Sequence, residues 1–81
     1  MIHARPDYEA IQDPRGLIPE DEPVFLLRAQ DVCAPATLDR WIDFARISGV
    51  DPDMIERVIQ LRRVMMLWQQ KRKVKIPDMP V

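Results

Sequence analysis

The residues with the most chemical potential in this sequence are cationic, and they gather at one end. Residues 54–81 contain Arg57, Arg62, Arg63, Lys71, Arg72, Lys73 and Lys75 against Glu56 and Asp78, a net charge of +5. Residues 1–53 hold five basic and eleven acidic residues, a net charge of −6. A planar guanidinium donates two parallel hydrogen bonds, which suits phosphate and carboxylate. The pattern therefore points to anion binding, with Arg28, Arg62, Arg63 and Lys73 as the candidate ligands. Tyr8 lies between Asp7 and Glu9 in an acidic stretch. It reads either as an apolar anchor in a neighbour's groove or as a lid stacked on a planar ligand, and anchoring is the simpler reading. A competing reading has the acidic N-terminal stretch dock on the basic helix of its own or a neighbouring chain. Cations near a helix C-terminus also complement its dipole without any ligand.

Bond-making chemistry has little to work with. His3 stands near the terminus without a nucleophile beside it and reads as a surface residue. Ser48 and Cys33 lack a matched base. Two glycines in 81 residues leave no phosphate-cradling loop. One Cys and one His cannot build a Cys/His zinc site, and the lone Cys33 reads as a small buried or half-buried apolar residue. Asp39 and Asp43 share a helix face and are expected to pair with Arg40 or Arg46. The expectation is a protein that is not an enzyme and needs no metal or cofactor.

These side chains must be positioned by few elements. Eighty-one residues make one domain at most, and a chain of this length buries only about 60% of its unfolded surface. Four prolines before residue 24 (Pro6, Pro14, Pro19, Pro23) argue against helix there, so residues 1–23 read as an extended, Pro-rich arm. Asp13-Pro14-Arg15-Gly16 reads as a tight turn. Residues 24–81 read as a helical hairpin domain. Val24–Leu27 has the composition and length of a strand, with a short helix from Pro23 as competitor. Pro35 opens a helix at about 35–48 that Gly49 closes. Asp51-Pro52-Asp53 opens a second at about 52–72. Val74–Pro77 reads as a short strand able to pair with Val24–Leu27.

Trp41 and Trp68 fall on the expected core stripes. Met54, Val58, Leu61, Met65 and Trp68 step by 4, 3, 4 and 3 residues, a heptad stripe. Ile55, Ile59 and Met66 flank it, and Val64 and Leu67 lie on another side. A helix apolar around most of its circumference is buried around most of it. One partner helix of fourteen residues cannot cover that surface, so the stripe is read as an oligomer interface between copies of the chain. A monomer whose arm folds back is the alternative. The fold class is thus mainly α: a helical hairpin with an extended Pro-rich arm and one or two short strands, oligomeric.

Charge and hydropathy exclude further classes. The longest apolar run, Val64–Trp68, is five residues against the roughly 20 of a membrane span. The N-terminus lacks the basic and apolar regions of a secretory signal, and a reducing, cytoplasmic location is expected. Duplex nucleic acid is disfavoured, because net charge is −1 and seven Asp or Glu precede residue 32.

The stretch from Arg5-Pro-Asp-Tyr-Glu-Ala-Ile-Gln-Asp-Pro through Ile18-Pro-Glu-Asp-Glu-Pro-Val-Phe-Leu-Leu-Arg-Ala-Gln-Asp31 resembles a group of small phage and prophage proteins of proteobacteria. The tail, with Met66, Trp68 and Lys75-Ile-Pro-Asp78, is similar to theirs. The resemblance covers most of the chain and is weakest over residues 36–63. It implies a bacterial host cytoplasm and a phage accessory role. By analogy, such proteins antagonise host defence by sequestering a nucleotide signal or occluding a host protein. The expected function is a homo-oligomeric binding protein that holds a phosphorylated, cyclic-nucleotide-like signal in basic intersubunit sites. Alternatives are a protein that occludes a host defence protein through Glu20, Asp21 and Glu22 of the arm, and a structural virion or assembly component.

Overall fold

A computed structural model describes residues 1–8 and 13–80. The chain divides into two compact units: Met1–Leu27 with Asp78–Val81, and Arg28–Pro77.

The first unit is built around a minimal parallel sheet. Strand β1 (Ile2–His3) pairs with β2 (Pro23–Val24), with Ile2 opposite Pro23 and His3 opposite Val24. The Ile2 amide donates to the Glu22 carbonyl at 2.7 Å and the Ala4 amide to the Val24 carbonyl at 3.3 Å. Pro23 takes the first position of its strand, where a missing donor is tolerated. The expected four-residue strand Val24–Leu27 is therefore shortened to Pro23–Val24, and its partner is the N-terminus rather than Val74–Pro77. A single 3-10 turn (Pro6–Tyr8) follows β1. The Asp13–Gly16 turn forms as its residues predict. The Gly16 amide donates to the Asp13 carbonyl, and Gly16 takes φ 61°. The Asp13 carboxylate accepts from the amides of Leu17 at 2.8 Å and Ile18 at 2.9 Å.

The second unit is the helical hairpin. Helix α1 spans Ala34–Ser48 and α2 spans Pro52–Lys71, each within a residue of the expected bounds. Their N-termini are capped differently. Asp51 has the extended backbone of an N-cap and accepts from the Asp53 amide at 2.8 Å, with Pro52 at the first helical position. Cys33, expected to be buried or half-buried, is exposed, because it precedes α1 rather than lying on its inward face, and it offers no side-chain cap. Asp31, two residues back, receives the Cys33 amide at 2.7 Å instead. Gly49 ends α1 at φ 75°, a conformation open to glycine at little steric cost, and the Val50 amide returns to the Ala45 carbonyl at 3.0 Å. Three residues separate the helices, so they return antiparallel.

The hairpin core is small. Ile42 and Ala45 of α1 meet Ile55 of α2, with Val50, Val58 and Ile59 packed against them. Ala34, Pro35 and Met65 are also buried. Trp41, expected in this core, is 38% exposed. Ile42, one residue on and about 100° round the helix, takes the inward position. Trp68 is half-buried.

The tail after α2 does not form the expected strand. It makes one parallel bridge, Asp31 to Lys75, in which Lys75 donates to the Gln30 carbonyl at 2.7 Å and accepts from the Val32 amide at 2.9 Å. Gln69 braces that junction from α2. Its Nε2 donates to the carbonyls of Ala29 and Asp31, both at 3.0 Å. Among the described residues no helix is long and apolar enough to cross a membrane.

Candidate functional site

Two turns of each helix form an open cleft of about 440 Å³ on one side of the hairpin. Asp39, Asp43 and Arg46 line it from α1, and Arg62 and Arg63 from α2, above a floor of Ile42 and Ile59. The spacing explains the gathering. At about 100° per residue, Asp39, Asp43 and Arg46 fall within about 60° on α1, and Arg62 and Arg63 flank Ile59 within about 100° on α2.

Asp39 and Arg62 join the two walls. Arg62 Nη2 donates to Asp39 Oδ2 at 3.1 Å, and Nε lies against Oδ1. Asp39 was expected to pair along its own helix with Arg40 or Arg46. It pairs across the hairpin, because residues 39 and 62 are nearly equidistant from the connection and therefore level in an antiparallel pair. Arg40 instead lies 6.0 Å from the Phe44 ring centroid. The pairing holds the guanidinium at the cleft wall.

The remaining anion candidates are dispersed. Arg63 is exposed on the cleft wall. Lys73 is exposed beyond the end of α2, next to Arg72, whose guanidinium lies 5.7 Å from the Trp68 ring centroid. Arg28 is exposed, and its carbonyl accepts from the Asp31 amide at 3.0 Å. Tyr8 belongs to the first unit, where the Arg5 guanidinium lies 5.2 Å from its ring centroid. Arg5 also donates to Asp7 at 2.7 Å and to Asp78 at 3.1 Å. The Asp7 hydrogen bond raises the Arg5 pKa above its ordinary value. His3, expected at the surface, is half-buried. Neither ring nitrogen has a hydrogen-bond partner among the described residues.

Arg46 is the cleft residue that the sequence did not single out as a ligand. Its signal was available. It stands seven residues after Asp39 on α1, and an antiparallel return brings that face to Arg62 and Arg63.

The heptad stripe divides in the structure. Met65 is buried within the chain, and Val58 packs on the hairpin core. Met54 and Leu61 are 48% and 47% exposed, as are Val64 at 60% and Leu67 at 56%. On α1, Phe44 and Ile47 join Trp41 in solvent. No family model matches the sequence, and neither a curated protein nor a solved structure matches the chain.

Proposed function

We propose that this chain is a non-enzymatic, homo-oligomeric binding protein that holds a phosphorylated ligand on the charged side of its helical hairpin, in keeping with a phage accessory protein that sequesters a nucleotide signal. The observation that carries the reading is the cleft between α1 and α2. Three guanidinium groups meet two carboxylates there, and one carboxylate, Asp39, is already paired with Arg62. That leaves Arg46 and Arg63 against Asp43. The volume lies within the roughly 300–1,000 Å³ of small-molecule sites. Ile42 and Ile59 offer an apolar floor to a base or sugar, and the arginines offer forked donors to phosphate.

The test is thermal denaturation with phosphate, mononucleotides and cyclic dinucleotides. A ligand that binds only the native state raises the melting temperature by an amount that grows with the logarithm of its concentration over Kd. The Arg46→Gln/Arg63→Gln variant should lose that rise while keeping its own unliganded melting temperature close to wild type. Gln keeps a long stem and a helix propensity near that of Arg. A wild-type protein indifferent to every phosphorylated ligand rejects the reading.

A second reading rests on the first unit, which contains seven acidic and two basic residues. Glu20, Asp21 and Glu22 are all exposed. Such a surface suits a basic host protein, and recovery of one partner from a bacterial lysate, lost on changing all three to Gln, tests it.

A further inference from the structure

The side of the hairpin away from the cleft is apolar, and its charge pattern specifies what covers it. We infer that this side is the face of an antiparallel two-fold dimer, with α2 of one copy against α2 of a second. The inference rests on the homo-oligomer part of the function proposed above and deepens it by naming face and orientation.

Helix geometry sets the face. At about 100° per residue, Met54, Leu61, Val64 and Trp68 occupy an arc of about 80° on α2, turned more than 90° from the core residue Ile55. Trp41 and Phe44 are displaced from the core residue Ile42 in the same rotational sense on α1. In an antiparallel hairpin the same sense puts both sets on one side. Cleft residues such as Asp39 and Arg63 are displaced the opposite way. Together the six apolar residues leave on the order of 600 Å² exposed, at the lower edge of what a stable interface takes from each partner.

Charge selects the occupant and its direction. On α2 the outward residues follow a heptad, with Met54, Leu61 and Trp68 at one position and Arg57, Val64 and Lys71 at the other. In a parallel pair each position meets itself, so Arg57 would face Arg57 and Lys71 would face Lys71 across the seam. An antiparallel pair centred between Leu61 and Val64 removes both repulsions. Leu61 then faces Val64 of the second copy, and Arg57 faces the second copy's Trp68, a favourable cation–aromatic pair. Lys71 arrives beside Met54 and the acidic start of the second copy's α2, where Asp51, Asp53 and Glu56 lie. The acidic end of each helix meets the basic end of the other (Lys71, Arg72, Lys73), and the two macrodipoles oppose.

Sedimentation equilibrium and disulfide mapping in a Cys33→Ser background test this. Wild type should sediment at twice its 9.5 kDa mass. Leu61→Asp/Val64→Asp should sediment as a folded monomer, since both side chains are about half exposed in the isolated chain. If that variant fails to fold, Lys71→Glu gives the readout. It should weaken the dimer roughly tenfold, and Asp53→Lys in the same chain should restore it. Mixed Met54→Cys and Lys71→Cys proteins should crosslink to each other, and Met54→Cys alone should not. Wild type at monomer mass, with its own first unit covering the face, overturns the inference. So does Met54→Cys self-crosslinking, or a Leu61→Asp/Val64→Asp protein that remains a dimer. A monomeric variant should still be stabilised by inorganic pyrophosphate, because the cleft lies on the other side. Loss of assembly and loss of ligand binding are thus read separately.

Discussion

The two sides of the hairpin are made from the same two helices and differ in almost every physical respect. One carries Asp39, Asp43, Arg46, Arg62 and Arg63 around a narrow apolar floor. The other carries Trp41, Phe44, Met54, Leu61 and Val64 with solvent on most of them. Between them lies a core of few side chains, in which Ile42, Ala45 and Ile55 each keep a little exposure. A core that small leaves little surplus over conformational entropy, so whatever stability the chain has is sensitive to single changes. The hairpin keeps its cross-helix ion pair and its clustered charge on one side, and leaves its larger apolar area on the side that packs nothing of the hairpin itself.

The contrast can be broken most severely at the core. Ile42→Asp puts an unpaired charge against Ile55 and should cost several kcal/mol, enough to unfold the chain; circular dichroism should show helix loss. The outward residues should behave oppositely. Phe44→Ser, at a position 62% exposed, should leave the helical signal intact and lower the sedimenting mass. Unfolding of that variant would mean that the apolar side is core. Gly49→Ala comes next. A Cβ there meets nothing within 4 Å, so only the positive φ opposes it, at roughly 1–2 kcal/mol. A shift of several degrees in melting temperature, equal for monomer and dimer, is expected. The smallest effect belongs to Asp39→Asn. The Asp39 side chain is half exposed and its ion pair solvated, so about 0.2–1 kcal/mol is at stake, and added salt should reduce it. That variant releases Arg62, and phosphate affinity should rise in the same protein.

Particular residues show how far the sequence could be read. The helix bounds were legible because capping is local. Asp51 and Pro52 start a helix wherever they sit, and Gly49 ends one, through backbone groups within four residues. The Asp13–Gly16 turn was legible for the same reason. Gly49 and Asp51 also dictate the short connection, and hence that α2 returns along α1.

Side-chain roles were less legible, because they depend on rotation about the helix axis, which propensity does not encode. Trp41 and Ile42 are both large and apolar, and only the contact with α2 decided which one is buried. The heptad Met54–Trp68 was visible as a stripe. Met65 and Val58 turned inward and Leu61 outward, because α1 covers only part of that circumference. Partner choice among charges went the same way. Asp43 has Arg40 and Arg46 three residues away along its own helix, whereas Asp39 meets Arg62 only through the antiparallel return. The strand at Pro23–Val24 found its partner at Ile2–His3, twenty-one residues back, and Gln69 found the carbonyls of Ala29 and Asp31. The sequence by itself determined where each helix begins, ends and reverses, since those are hydrogen bonds between near neighbours. Tertiary packing alone decided which face became core, cleft or open apolar surface, since burial is shared between segments that no local spacing relates.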